Sequence, residues 1–283
     1  GPGNFLARAY QQIPVAITVE GANIMTRTLI IYGQGAIRCH PYVLPMMRTA
    51  EAQELKAFDR ALFGYVGFVL GNMARAVGFG LTGGALISAP RDAAPELRRY
   101  YKLATRLSTL LALASDISMA TVGGALKRKG ALTGRLGDIL SQLFILSATL
   151  KRFEDEGRPA EDLPFVHWAA QDALNRAATA WRDVLANHPS RGASLFLKLT
   201  GTPFGLKAPM PGEACAAQVA GLRRAHALVG IDEAGALLQI IGIEQRGHAT
   251  AGQRNEVGIG HVFVAVGIGQ AQGFADQVHA HHR

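Results

Sequence analysis

Near its amino end the chain places a carboxylate where a base could work. The apolar, β-branched run Val15-Ala16-Ile17-Thr18-Val19 leads into Glu20, Gly21 follows, and Arg27 lies seven residues after the glutamate. Burial among apolar neighbours disfavours the ionised form of a carboxyl group and raises its pKa. A general base acting near neutral pH needs that poise. A helix-capping or solvent-facing glutamate gives the same pattern, and the residues alone leave both readings open. Gly21 suits either a close approach of backbone to a ligand or a simple turn. Asn23 suits a polar ligand contact or a helix cap. Arg27 suits support of a cofactor or of the glutamate loop, or a salt bridge inside a bundle.

Other chemistry-bearing groups point less clearly. Cys39 and Cys215 form no CxxC pair and no zinc spacing, so they read as two reduced thiols of a cytosolic protein. His279-Ala280-His281-His282 has no carboxylate beside it and reads as an incidental polar terminus, so no metal site is expected. Arg98, Arg99, Lys102, Arg106 and Lys127-Arg128-Lys129 could meet phosphates or a membrane, and as solvated helix faces they need no ligand. His167 and Asp138 read as structural groups, with Arg135 or a neighbouring helix as the partner of Asp138.

The elements that must hold these residues are helical. The chain has 283 residues, 49% apolar and 18% charged, so a sizeable core is affordable and overall disorder is not expected. Its formal charge is +8, yet no dense basic run with interleaved aromatics appears, which argues against nucleic acid as a partner. Apolar spacings of three and four predict helices over 23–37, 50–77, 95–119, 132–153 and 165–187. Asn23 or Thr26 is the expected cap of the first, and Pro95 stands in the first turn of the third. The Gly/Pro-rich stretch 78–94 is expected to be mobile or lipid-facing. Asn72 and Arg75 interrupt the apolar stretch 61–90, which therefore reads as too broken to span a membrane but able to lie against one. The consistent fold class is all-α, an antiparallel helical bundle.

Separated strings then carry a resemblance. VEGAN with Arg27 resembles the motif of acyl-CoA dehydrogenases, in which a Glu-Gly pair begins the helix lining the flavin. NFLARAYQQIPVAITVEGANIMTR, GQGAIRCHPYVL, RYYKLATRLSTLLALASDISMATVGGALKRKG, RLGDILSQL and LKRFEDEGRPAEDLPFVHWAAQDAL are similar to the long bacterial acyl-CoA dehydrogenases of fatty-acid β-oxidation. The similarity covers roughly residues 1 to 210. It implies FAD as cofactor and a fatty acyl-CoA as substrate. It implies that Glu20 removes the α-proton while a β-hydride passes to the flavin, giving a trans-2-enoyl-CoA. Gly21, Asn23 and Arg27 fall at flavin-side positions, and Ala22 stands where a Thr is common. It further implies an electron-transferring flavoprotein as acceptor and a homo-oligomeric parent enzyme.

The expected organisation is 1–50 as the end of the catalytic carboxyl-terminal domain, 51–210 as the bacterial-type helical extension, and 211–283 as an atypical tail. That tail holds six of the nine histidines and no lysine. It reads as a small domain, a disordered extension or a shifted reading frame. With Gly1-Pro2-Gly3 at its start and its first Met at Met25, the chain reads as a fragment, expected to be inactive alone. It is placed in the cytoplasm, with peripheral contact at the inner membrane. A non-catalytic helical module that docks on membranes or partners is the competing reading.

Overall fold

A computed structural model describes residues 25–228. Glu20, Gly21, Asn23, the apolar run before them and the histidine-rich tail lie outside the described residues. Within them every regular element is helical, as the periodicity predicts.

The chain enters as a π-helix, Thr26–Gln34, and tightens into the short α1, Gly35–Arg38. Thr26 lies inside this helix and does not cap it. A turn through His40 and Pro41 leads to α2, Val43–Glu51, with Pro45 in its first turn, where a missing N–H costs nothing. The helix expected from residue 50 is thus two elements. A break at Ala52-Gln53-Glu54 precedes α3, Leu55–Leu81.

The stretch after α3 is anchored rather than lipid-facing along its whole length. Ile87, Ala93 and Ala94 are buried, and the Ala94 amide donates to Glu154 Oε1 at 2.9 Å. A 3-10 turn at Pro95–Leu97 opens α4, Arg98–Val122. Gly123 ends it at φ 57°, a left-handed conformation that glycine adopts without steric cost. A second 3-10 segment, Gly123–Arg128, leads into α5, Gly130–Asp155. A charged turn joins it to α6, Leu163–Asn187, with Pro164 in its first turn.

Helices α4, α5 and α6 build the core. Leu107, Leu110 and Leu111 of α4 meet Leu136, Ile139, Leu143, Leu146 and Leu150 of α5. From α6 come Ala170, Ala173, Leu174, Ala177, Trp181 and Val184. The alanine-rich stripe of α6 lets it lie close along α5, and these two helices make the most extensive pairing. Short connections make successive long helices antiparallel neighbours.

Two more helices follow where the sequence reading ends. The segment Asn187-His188-Pro189-Ser190 stops α6 as expected, but Ser190 then caps α7, Arg191–Gly201, its Oγ accepting from the Ala193 amide at 3.2 Å. Helix α8, Glu213–Leu228, lies along α6. The buried guanidinium of Arg106, which could have been a solvated cation, instead reaches the carbonyls of Gly201 and Gly205 at 3.4 Å each. A cation suits the carbonyl end of a helix.

Candidate functional site

Of the four expected site residues, Arg27 is the one within the described residues. It lies in the first turn of the π-helix, seven residues after Glu20 in sequence. Arg27 makes the bundle ion pair that was one of its readings: Arg27 Nε is 3.4 Å from Asp138 Oδ1 on α5. Asp138 has its expected neighbouring-helix partner.

Glycines on α5 make that approach available. A Cβ on Gly137 would lie 2.8 Å from the Arg27 carbonyl oxygen, and one on Gly134 would lie 3.1 Å from the Arg27 guanidinium. Spaced three apart, they share a helix face. The π-helix therefore rests in a trough that any other residue would fill. π-Turns occur mostly as short insertions and frequently at functional sites; this one runs for nine residues.

Tyr32 locks the far end of the π-helix. Its side chain is fully buried, and its hydroxyl donates to Ser115 Oγ at 2.7 Å. Ser115 passes its own proton to the Leu111 carbonyl at 2.7 Å. Burial pushes the Tyr32 phenol well above its ordinary range.

Beside this anchor sits a buried polar pair that the sequence reading does not foresee. His40 Nε2 is 3.1 Å from Asp116 Oδ1. His40 Nδ1 accepts the amides of Tyr42 and Val43, both at 3.1 Å. Those donors leave the ring proton on Nε2, directed at the carboxylate. Tyr65 and Phe68 of α3 face the imidazole edge-on at 5.4 and 5.2 Å. Burial first, and then the charge of Asp116, pushes the Tyr65 phenol up to about 12. Asp116 itself is buried, at 2% exposure. His40 and Asp116 are 76 residues apart, and their pairing leaves no local spacing signal.

The pair fixes the turn joining α1 to α2 and, through Tyr32 beside it, the π-helix. With side chains only 8% and 2% exposed, the pair holds the fold and leaves no open side for a substrate. The described residues contain no group of three or more His, Cys, Asp or Glu able to hold a metal.

Among the described residues, Arg27 is the one expected at a flavin-side position. Its guanidinium has five N–H donors, and Asp138 engages the one on Nε. Its side chain is 48% exposed. That is compatible with a flavin-side role.

The chain belongs to the acyl-CoA dehydrogenase family, C-terminal, bacterial type, whose model matches residues 37–228. The match includes α8 and begins after Glu20, Gly21, Asn23 and Arg27. No solved structure matches the chain. Membership gives an acyl-CoA dehydrogenase-type oxidoreductase role at the level of the family, whose members typically bind FAD.

Proposed function

We propose that the chain is the carboxyl-terminal part of a flavin-dependent enzyme that oxidises a fatty acyl-CoA to the trans-2-enoyl-CoA, with Glu20 as the base. The observation that carries this reading is the family membership of residues 37–228, joined to the VEGAN segment that leads directly into the described π-helix.

The residue type suits the chemistry. A proton next to a thioester carbonyl becomes acidic when the carbonyl oxygen is hydrogen-bonded, and a desolvated carboxylate can then take it. Glu20 removes that α-proton. Gly21, Asn23 and Arg27 would hold the flavin, which when bound supplies the acceptor for the hydride leaving the β-carbon. Asp138, Gly134 and Gly137 seat Arg27, and Tyr32 fixes the far end of the same helix. An electron-transferring flavoprotein is the acceptor this reading implies, and a homo-oligomer its assembly.

Glu20→Gln in the enzyme that carries this chain tests the assignment. The amide keeps the shape and removes the base. Flavin absorbance should persist while acyl-CoA oxidation falls by about 10²- to 10⁴-fold. Oxidation at the unaltered rate would place the base elsewhere.

A further inference from the structure

We propose that α3 and α7 form one docking surface for an anionic phospholipid bilayer, against which the bundle lies without crossing it.

The amphipathicity of α3 is inverted. A surface helix normally buries its apolar face and shows water its polar one. Here Asn72 is buried, at 1% exposure, and Arg75 is half-buried and bonds back to Asn72 Oδ1 at 2.7 Å. Phe63, Val66, Leu70 and Leu81 face outward, Phe63 at 73% exposure. Their spacings of three, four and eleven keep them on one side of the helix. Of the apolar window of α3, 11% is buried in the bundle, against 56% for the equally apolar helix spanning Pro95–Arg128, which is core.

A second apolar element adjoins it. The backbones of α3 and α7 meet closely at Gly80, where a Cβ would lie 2.9 Å from the carbonyl oxygens of both Thr200 and Gly201. Leu81 and Leu199, each beside that junction, are exposed, as is Leu195 one turn back on α7.

Charge names the occupant. From Arg60 to Arg91 the chain has no Asp or Glu, and from Val184 to Gly212 it again has none. These stretches supply all of α7 and, after the exposed Asp59, α3 from Arg60 onward. On and after α7, Arg191, Lys198 and Lys207 are exposed among the leucines. Exposed leucines interspersed with cations on and after α7 match an anionic headgroup layer over acyl chains. A second copy of the chain would set like charges face to face. The packing of α3 along one side against α2, α4 and α7 suits a helix lying against the bilayer surface.

The test is flotation of the full chain with phosphatidylcholine vesicles, with and without 30% phosphatidylglycerol, at low and high salt. Binding should require the anionic lipid and weaken with salt. At roughly fivefold per basic residue, Arg191→Ala/Lys198→Ala/Lys207→Ala should bind about a hundredfold more weakly. Leu195→Ser/Leu199→Ser, at exposed positions, should also release the chain, and circular dichroism checks that both variants keep their helices. Absence of vesicle binding, or equal binding to neutral and anionic vesicles, overturns the proposal. So does sedimentation equilibrium showing a dimer that the leucine variant dissociates while vesicles are ignored. Flavin content and turnover of the enzyme report separately on the dehydrogenase reading, which this proposal does not need.

Discussion

Tyr100 gives its one hydroxyl proton to Nδ1 of His167, 2.9 Å away. Its oxygen already accepts from Arg99 at 2.6 Å and from Gln171 Nε2 at 3.0 Å, so its remaining role is as donor. The histidine must therefore be unprotonated at Nδ1. Burial, then the charge of Arg99, lowers the His167 pKa below its usual 6.5, and Glu96 offsets part of this. The folded state thus binds the proton less readily than the unfolded chain. The stabilisation is complete above about 6.5 and is lost as the pH falls through the folded-state value. Urea midpoints from pH 8 to pH 5 should decline in the native protein. In His167→Gln, which cannot titrate, that part of the slope should vanish.

His40→Ala should destabilise the fold by about 2–3 kcal/mol, since it strands the buried Asp116 carboxylate without its ring N–H donor. Asp116→Ala should cost a similar amount. The double variant should fall well short of the sum, because both changes remove one interaction. Denaturant melts of the three variants measure this, and additive losses would show that the two residues stabilise separate contacts.

Glycines on different helices should respond with opposite signs. Gly137→Ala forces a methyl to within 2.8 Å of the Arg27 carbonyl and should cost about 1–3 kcal/mol by overpacking. Gly71→Ala, in the middle of α3 with nothing within 4 Å, should stabilise by about 0.5–1 kcal/mol through helix propensity. Thermal melts of the pair decide it.

Asp138→Asn separates holding from stabilising. The Arg27–Asp138 pair is partly exposed, with side chains 48% and 36% accessible, so its loss should change stability by less than about 1 kcal/mol. In the enzyme, the freed Arg27 should loosen the segment leading from Glu20. A fall in kcat with the melting temperature nearly unchanged is the expected outcome. A loss of stability without a loss of rate would make the pair a simple brace.

The long helices were legible because their apolar spacing is strong. Leu136, Ile139, Leu143, Leu146 and Leu150 mark α5 in the sequence as plainly as in the core. Short elements were not. Eleven residues of α7, after a His-Pro-Ser stop, hold too few turns for a period to stand out, although Ser190 was a cap in plain view. The π-winding of 26–34 was invisible, since it arises from the glycine trough on α5 and Tyr32 fixed on Ser115, both more than 80 residues away in sequence. The ion pair of Arg27 with Asp138 joins residues 111 apart, and only the fold could bring them together. The His40–Asp116 pair required α1 and α4 to be brought together first.

A widened helix carries a constraint on heredity. Because 26–34 close their turns five residues apart rather than four, losing a single residue there would let the segment relax to ordinary winding. Because an α-turn winds about 100° per residue and a π-turn less, the upstream chain would then enter the helix at a different rotation. The VEGAN segment would arrive facing another direction even though none of its own residues had changed. In this stretch, a one-codon deletion should be worse for activity than most substitutions.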